Sequence, residues 1–283
     1  MTFGISDDYL REVGISLRGG FSVRFPSKNV ESASSWRDKN VKKIVVFSGA
    51  GLSAESGIPT FRDSGGLWEQ HRIEDVASPE GWERDKKLVL NFYEQRFLKS
   101  LQCQPNAAHH AIARLQEYFD VVNITQNIDT LLERAGAKNV WHLHGRIDYQ
   151  KCELHYSIPA YDDSSFTCDY RAQISSPTKL GDMCPRCGSQ LRPDVVLFGE
   201  AVDMRQQFLE ELVATADVFI GIGTSAQVYP AARLLPLFRR TRLKYFVDPN
   251  PAFDMLEGFE ILKGRASDQM PTLGVQLVED FSS

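Results

Sequence analysis

The sequence predicts an α/β protein with a Rossmann-like, doubly wound parallel sheet and a smaller inserted module. Short apolar segments alternate with amphipathic helical patterns from residue 43 onward, and this alternation indicates a mostly parallel sheet covered on both faces. The pattern is lost over 146–192, where Cys, Pro, Asp and Ser collect. A glycine-containing turn follows the first apolar segment, as in sheets that bind a ligand at the carboxyl ends of their strands.

The individual elements follow from apolar spacing along the chain. Short continuous apolar runs are typical of strands buried in a parallel sheet, whereas apolar residues recurring every three or four positions indicate a helix. Pro105-Asn106 opens one helix and Gly136 stops another. The predicted strands are Ile44–Phe47, Asp120–Thr125, Val140–Leu143, Val195–Phe198, Val218–Ile222 and Lys244–Val247. The predicted helices are Asp85–Leu98, Ala107–Phe119, Ile128–Ala135 and Met204–Thr215.

Three regions of the chain differ in composition. The first forty residues are rich in Ser, Gly and Arg and lack apolar periodicity, so we expect an N-terminal extension over 1–40 that packs on the core or stays mobile. A targeting arm is the alternative, although its acidic residues are unfavourable for a transit peptide. We assign 41–66, 99–145 and 193–283 to the Rossmann-like domain. We assign 67–98 and 146–192 to a small helical and cysteine-containing module.

Composition and charge exclude several classes of protein. The chain has 283 residues, a formal net charge of −5 and a hydrophobic fraction of 42%, without the basic surface expected of a nucleic-acid-binding protein. No apolar run approaches the roughly 20 residues of a membrane span. Five cysteines, an odd number, argue against a secreted disulfide framework. We expect a cytoplasmic protein, with mitochondria as the alternative, that binds neither nucleic acid nor membrane. The sequence leaves the oligomeric state open.

The most distinctive segment directly follows the first predicted strand. Residues 49–62 read GAGLSAESGIPTFR, and glycines after a strand let the backbone approach a pyrophosphate closely. The spacing is not GxGxxG, and the acidic residue expected roughly 20 positions further on in a dehydrogenase has only loose matches in Glu69, Glu74 and Asp75. The segment resembles the cofactor signature of the sirtuins, which are NAD-dependent protein-lysine deacylases.

Two further motifs end predicted strands, in the order found in sirtuins. TQNID occupies Thr125–Asp129 and HLHG occupies His142–Gly145. The resemblance implies that TQNID holds the nicotinamide side of NAD and its ribose, and that the second histidine of HLHG is the general base. A histidine suits this role because it titrates near neutrality. The first histidine is expected to be structural, and the other four histidines have no such context. The implied catalytic residues are His144, Asn127 and Asp129.

The resemblance also implies a mechanism. The carbonyl oxygen of an acyl-lysine attacks the anomeric carbon of NAD, nicotinamide leaves, and the base activates a ribose hydroxyl that attacks the resulting imidate. The products are free lysine, nicotinamide and O-acyl-ADP-ribose, so NAD is consumed as a co-substrate. Phe61 would shield the reacting centre from water, and Arg62 would position the cofactor.

Other cofactor contacts are implied by motifs later in the chain. Gly223–Ser225 matches the sirtuin GTS element, whose glycine and hydroxyl groups suit phosphate and ribose. The asparagine that most relatives carry near Phe246 is missing here, which leaves Asn250 or Asp248 as its substitute at the adenine ribose. Ala266 would lie near the adenine. The implied cofactor-binding residues are Gly49, Ala50, Gly51, Ser53, Ala54, Phe61, Arg62, Gln126, Asn127, Asp129, Gly223, Thr224, Ser225, Asn250 and Ala266.

The cysteines of the small module indicate a structural zinc site. Cys184 and Cys187 form the CxxC half of a zinc ribbon. Where a second CxxC is expected, the sequence has Cys152 and His155, and Cys168 follows later. The fourth ligand is therefore Cys168 by thiol chemistry or His155 by spacing, and a degenerate site with weak or no metal is a further alternative. We assign structural Zn²⁺ to Cys152, Cys168, Cys184 and Cys187, which makes this a zinc-ribbon/helical module.

Two segments are assigned to the acylated-lysine protein substrate. Val196–Glu200 resembles the sirtuin strand on which a peptide adds through backbone hydrogen bonds. Phe92–Arg96 resembles the helix of the desuccinylase and demalonylase branch, where Tyr and Arg grip an acyl carboxylate. Ala77 matches the small residue that widens this pocket, and an exposed helix face is the alternative for the Tyr-x-x-Arg pair. The assigned residues are Ala77, Tyr93, Arg96, Val196, Phe198, Gly199 and Glu200.

Together these motifs predict an enzyme that uses NAD to remove succinyl and malonyl groups, and also acetyl groups, from protein lysines. A protein mono-ADP-ribosyltransferase and an acetyl-specific deacetylase are the alternative enzymes. An NAD-binding module without turnover is the alternative outside catalysis, and the intact TQNID and HLHG motifs argue against it.

Overall fold

The computed structural model describes residues 42–60, 71–155, 167–225, 231–251 and 256–282. The extension predicted over 1–40 and the predicted cofactor residues Phe61 and Arg62 lie outside these ranges. Within them, the strands form a six-stranded sheet and a three-stranded sheet.

The larger sheet is parallel throughout, as the alternation of strands and helices predicts. The strands are β1 (Lys43–Ser48), β2 (Asp120–Thr125), β3 (Val140–His142), β4 (Gly145–Cys152), β5 (Arg171–Gln173), β6 (Leu191–Val195), β7 (Val218–Ile222), β8 (Leu243–Asp248) and β9 (Glu260–Lys263). The larger sheet has the order β3-β2-β1-β7-β8-β9, and all of its neighbouring strands run in the same direction.

The helices cover both faces of this sheet. They are α1 (Gly51–Ala54), α2 (Ile73–Val76), α3 (Pro79–Arg84), α4 (Lys86–Gln102), α5 (Ala107–Leu115), α6 (Leu131–Arg134), α7 (Gln206–Thr215), α8 (Leu234–Leu237) and α9 (Ala266–Ser282). Short 3₁₀ turns flank α8 at Ala231–Arg233 and Phe238–Arg240. In the part of the chain that the structure describes, none of these helices has the length and apolar character needed to span a bilayer.

The central strand β1 shows why the sheet needs cover on both sides. Ile44 and Val46 belong to one apolar cluster, which α5 and α9 complete. Val45 and Phe47 belong to another, which α7 and α8 complete. Because successive strand residues point to opposite faces, an uninterrupted apolar run places a buried layer on each side of the sheet.

Side-chain caps define the starts of three helices. The hydroxyl of Ser78 accepts a hydrogen bond from the backbone N–H of Gly81 at 3.0 Å at the start of α3. The carboxylate of Asp85 accepts from Leu88 N–H at 2.9 Å at the start of α4. Asn106 caps α5 through a capping box, in which its side chain accepts backbone N–H groups of the first turn. Such caps satisfy amide groups that have no partner inside the helix.

The smaller sheet is antiparallel, with the order β5-β4-β6. It is joined directly to the large sheet, because β4 begins at Gly145 and β3 ends at His142. The helices α2, α3 and α4 pack on this sheet through an apolar cluster that includes Val76, Ala77, Trp82, Phe92, Tyr93, Phe97, Ile147, Val195 and Leu197.

The strand predicted over Val195–Phe198 is wrong in position. The strand runs over Leu191–Val195 and pairs with β4 of the small sheet. The apolar run continues beyond it as a loop, in which Val196 N–H donates to the carbonyl oxygen of His144 at 2.9 Å. Apolar composition alone does not separate a short strand from a buried loop.

Three predicted helices are shorter than expected, and the last two elements were not predicted. The helix predicted to Phe119 ends at Leu115, and the helix predicted from Met204 begins at Gln206. The helix predicted over Ile128–Ala135 is formed only over Leu131–Arg134, because the Asp129 carboxylate accepts Leu131 N–H at 3.0 Å and holds the preceding residues in a loop. Strand β9 and helix α9 lie beyond the last predicted element.

The order of the larger sheet reverses between β1 and β7, and ligands of such sheets bind at the carboxyl ends of the strands at this point. The turns after β1 and β7 touch there through glycines. A Cβ atom on Gly51 would lie 2.8 Å from Gly223 Cα, and a Cβ on Gly223, which has φ +58°, would lie 2.3 Å from Leu52 N. Both positions therefore require glycine.

We expect Gly223→Ala to lower the free energy of unfolding by roughly 2–4 kcal/mol, because the added methyl group overpacks the turn and strains a positive φ. Gly136→Ala is the matched control: Gly136 has φ +102°, and nothing lies within 4 Å of an added Cβ. It should lose only the roughly 1–2 kcal/mol of backbone strain. Urea unfolding measures both variants, and equal losses would contradict the close approach.

Candidate functional site

The turn after β1 is bonded to the turn after β7 through backbone groups. Gly49 N–H donates to the carbonyl oxygen of Ile222 at 3.1 Å, and Gly51 N–H donates to that of Gly223 at 2.8 Å. The glycines were expected to allow approach of a pyrophosphate, and the structure shows a second reason for them. Side chains at 49 or 51 would collide with Gly223 or Thr224, so the turn keeps its shape only without them.

The end of β2 is tied to both neighbouring turns. The Gln126 side-chain amide donates to Thr224 Oγ1 at 2.9 Å. The Asn127 side-chain amide donates to the Gly49 carbonyl oxygen and to Ser53 Oγ, both at 3.1 Å. These two bonds use both amide hydrogens of Asn127, so its amide oxygen faces away from them. The structure thus brings together residues predicted from three separate motifs.

Asp129 is buried beneath this turn. One carboxylate oxygen accepts the Ser53 hydroxyl at 2.9 Å, and the other accepts Leu131 N–H at 3.0 Å. Burial raises the pKa of Asp129 above its ordinary value, although both hydrogen bonds oppose that shift by favouring the charged form. Asp129 therefore fixes the orientation of the Ser53 hydroxyl in the turn after β1.

His144 follows β3 and lies beside Gln126. Its Nδ1 is 3.0 Å from the Gln126 carbonyl oxygen, and a carbonyl oxygen only accepts, so Nδ1 carries the proton. The other ring nitrogen, Nε2, then holds a lone pair. Burial lowers the pKa of His144 below its ordinary value of 6.5, while the bond to Gln126 acts in the opposite direction. At neutral pH the ring is an uncharged base.

His142 does not share the environment of His144. It holds the loop after β2 in place. Its Nδ1 is 2.7 Å from the carbonyl oxygen of Asn127, and its Nε2 is 2.8 Å from a carboxylate oxygen of Glu133. Arg146 contacts the same carboxylate oxygen at 3.2 Å. Both ring nitrogens of His142 therefore have partners inside the protein. Through its Nδ1 contact, His142 orients the Asn127 backbone.

Two polar residues of this network were not singled out from the sequence. The Asn106 side-chain amide donates to the Leu52 carbonyl oxygen at 2.8 Å and to Ser56 Oγ at 3.1 Å. His109 Nε2 lies 3.4 Å from Ser53 Oγ. The signal was the Asn-x-x-His spacing at a helix start, which permits a capping box. That spacing does not indicate that the Asn106 side chain also binds the turn after β1.

The predicted adenine-side residues lie after β8 and at the start of α9. Asn250 is exposed, and its backbone N–H donates to a carboxylate oxygen of Asp248 at 2.7 Å. Ala266 is buried, and the next residue, Ser267, donates its N–H to Glu55 at 3.0 Å. This bond connects the start of α9 to the turn that follows α1.

Two of the three predicted acyl-pocket residues share one apolar cluster. Ala77 and Tyr93 are both buried in it, so the Tyr-x-x-Arg pair does not lie on an exposed face. The Arg96 guanidinium is half-buried, lies 3.1 Å from the centroid of the Phe92 ring and donates to the Phe92 carbonyl oxygen at 2.7 Å. Burial lowers the pKa of Arg96 to about 10, which keeps it a cation at neutral pH.

The predicted peptide segment runs between this pocket and His144. Val196 N–H donates to the His144 carbonyl oxygen at 2.9 Å, and Phe198 N–H donates to the Ala77 carbonyl oxygen at 2.8 Å. The Phe198 residue is 50% exposed, and Gly199 has φ +96° in the turn that follows. The segment is therefore bonded to His144 at one end and to Ala77 at the other.

The Glu200 side chain faces the protein interior, so a peptide contact at this residue would involve its backbone. Its side chain is 1% exposed and pairs with Arg192. Its second carboxylate oxygen accepts Leu197 N–H at 2.8 Å. A buried carboxylate needs such partners, and they turn Glu200 inward, where it shapes the loop rather than facing a peptide.

The four predicted zinc ligands converge. The sulfur atoms of Cys152, Cys168, Cys184 and Cys187 all lie within 4.8 Å of one another. The Cys152–Cys187 and Cys168–Cys184 sulfur distances are 3.4 and 3.7 Å, close to the roughly 3.8 Å edge of a tetrahedral zinc–thiolate site. The four thiols fit a structural Zn²⁺, and Cys168 rather than His155 completes the cluster. Cys103 is buried elsewhere.

Comparison with known proteins agrees with this geometry. The Sir2 family model matches residues 49–230. A Bacteroides thetaiotaomicron NAD-dependent protein deacylase is 44% identical over 211 residues, covering 75% of this chain and 87% of that protein. A solved Sir2 homologue–NAD complex has a TM-score of 0.72 at 35% identity, covering 86% of this chain and 91% of its own. A Sir2 homologue complex with 2′-O-acetyl ADP-ribose has a TM-score of 0.72 at 36% identity, covering 86% and 94%. Since the family match spans more than half of the residues, the chain belongs to the Sir2 family.

Proposed function

We propose that this protein removes acyl groups from protein lysines with consumption of NAD, and that it prefers acidic acyl groups. The observation that carries the proposal is the position of His144. Its ring is bonded to the Gln126 carbonyl oxygen, and its own carbonyl oxygen accepts Val196 N–H. One residue thus connects the loop assigned to nicotinamide and ribose with the segment assigned to the peptide.

The residues after β1, β2 and β7 fit the nucleotide. NAD supplies an electrophilic anomeric carbon and a nicotinamide leaving group when it is bound. Asn127 and Asp129 are oriented by Ser53 and by backbone groups before any ligand arrives, and such preorganisation reduces the cost of binding. His144 holds its lone pair on Nε2 and can accept a proton from a ribose hydroxyl.

The segment after β6 fits an extended peptide. Hydrogen bonds between an extended peptide and a protein backbone segment give affinity with little sequence readout, and the exposed Phe198 side chain adds apolar contact. Because Val196 and Phe198 are each bonded to a neighbouring loop, the segment is held in place for a lysine side chain to enter toward His144.

Tyr93 and Arg96 support the preference for acidic acyl groups. Tyr93 shares a cluster of apolar side chains with Ala77. Arg96 follows Tyr93 by three residues on the same face of α4 and lies half-buried against the Phe92 ring. A half-buried guanidinium in such surroundings attracts a carboxylate and offers it two parallel N–H donors. A succinyl or malonyl group carries that carboxylate, and an acetyl group does not.

The first test compares matched succinyl-, malonyl- and acetyl-lysine peptides with and without NAD, by mass spectrometry. We expect NAD-dependent loss of the acidic acyl groups to exceed loss of acetyl. Arg96→Met should lower kcat/KM for the succinyl peptide at least tenfold more than for the acetyl peptide, since a charge-assisted hydrogen bond contributes about 1.5–3 kcal/mol.

Lys87→Met is the control for this substitution, because it removes an exposed cation from the same helix. Loss of acetyl alone by the unsubstituted protein would keep the deacylase and discard the acidic preference. Transfer of label from NAD to protein, without free O-acyl-ADP-ribose, would replace the deacylase with an ADP-ribosyltransferase.

The protonation of His144 predicts the acid side of the pH profile. A base works in its deprotonated form, and burial places the pKa of His144 below 6.5. Activity should therefore persist as pH falls to 6.5 and decline only at lower pH, with a slope approaching tenfold per unit. The profile of kcat/KM for NAD measures this, and an acid limb centred above pH 6.5 would contradict a buried neutral base.

The four-cysteine site predicts dependence of folding on metal. Cys184→Ser should reduce bound zinc from about one per chain to near zero and lower Tm by roughly 5–10 °C, because loss of a ligand uncouples metal binding from folding of the small module. Elemental analysis and thermal unfolding measure the two effects. Cys103→Ser, outside the cluster, should retain zinc. Absence of zinc from the unsubstituted protein would show that the four-cysteine site is degenerate.

A further inference from the structure

His109 is fully buried although it is polar. It is the third residue of α5 and has an exposed fraction of 0%. Its ring lies between the start of its own helix and the turn after β1, with Nδ1 3.2 Å from Asn106 N and Nε2 3.4 Å from Ser53 Oγ. A buried polar side chain at such a position needs both of its ring nitrogens satisfied.

The surroundings define which nitrogen of His109 carries the proton. The Asn106 backbone N–H only donates, so Nδ1 accepts it and has no proton of its own. Burial and, to a smaller extent, the neighbouring His110 lower the pKa of His109 to about 3, so the ring is neutral with a single proton. That proton is on Nε2, which donates to Ser53.

Ser53 therefore has a complete set of hydrogen bonds. Its oxygen accepts one from His109 Nε2 and one from the Asn127 amide, at 3.4 and 3.1 Å. Its own proton goes to Asp129 at 2.9 Å. A hydroxyl oxygen accepts two hydrogen bonds and donates one, so the two N–H donors leave the Ser53 proton only the direction of the Asp129 carboxylate.

We propose that His109 is a positioning residue for the nicotinamide side of the NAD site, acting through Ser53 on Asn127 and Asp129. The inference rests on the proposed function. His109 touches neither the peptide segment nor His144 in the contacts that the described residues make. Its effect is on the orientation of one hydroxyl, and through that hydroxyl on two side chains assigned to nicotinamide and its ribose.

Two variants of His109 separate its two hydrogen bonds. Asparagine places a polar group where Nδ1 lies, so His109→Asn retains the capping interaction with Asn106 and loses the donor to Ser53. Glutamine places its amide near Nε2, so His109→Gln retains a donor to Ser53 and loses the cap. His110→Asn, on the half-exposed neighbouring position, is the control for substitution in this helix.

We expect opposite results in the two variants. His109→Asn should keep a Tm near that of the unsubstituted protein and weaken NAD binding about tenfold in calorimetry, the effect of one neutral hydrogen bond. ADP, which lacks both nicotinamide and the ribose attached to it, should bind within about twofold of its unsubstituted affinity. His109→Gln should have a lower Tm and retain NAD affinity. In a Ser53→Ala background, His109→Asn should add no further loss.

A merely structural role for His109 predicts that NAD affinity falls in proportion to Tm in both variants, and this result would overturn the inference. Unchanged NAD affinity in a folded His109→Asn protein would overturn it as well. If that variant does not fold, loss of NAD affinity in His109→Gln decides against the proposal and retention decides for it. Unsubstituted protein that binds NAD without deacylating peptides would refute the proposed function, while the binding comparison would still test His109.

Discussion

The hydrogen bond from Gly51 N–H to the Gly223 carbonyl oxygen, 2.8 Å long, joins the turns after the two central strands of the large sheet. It forms only because neither residue has a Cβ atom. The bond fixes the position of the turn after β1 relative to the turn after β7. Asn127 and Asp129 are then positioned relative to the turn after β1 through Ser53, and Gln126 is positioned through Thr224.

The site is built from polar groups that satisfy one another before a ligand binds. Asn127, Ser53 and Asp129 exchange hydrogen bonds in a buried setting, where an unsatisfied group would cost more than it does in water. Burial raises the pKa of Asp129 and lowers that of His144. Both pKa shifts favour the neutral forms. The hydrogen bonds at Asp129 and the bond from His144 to Gln126 act against these shifts, and they fix the orientation of each side chain.

Much of the fold and the site could be predicted from the sequence, since buried parallel strands have continuous apolar runs and the loop motifs follow them directly. The strand predicted at Val195–Phe198 is wrong in position because apolar residues also line a buried loop. The role of His109 depends on Ser53, a partner distant in sequence, and that of Glu200 depends on the folding of its loop around Arg192. A single sequence contains no record of such pairings. The choice of Cys168 over His155 likewise required the approach of four sulfur atoms in space.

Only Leu143 and His144 separate β3 of the large sheet from β4 of the small sheet. The base therefore stands at the point where the chain passes from one packed body to the other. Because the strands on either side of His144 are each paired within a sheet, the ring has little freedom to move relative to either sheet. The position of the lone pair on Nε2 is therefore set by both sheets at once.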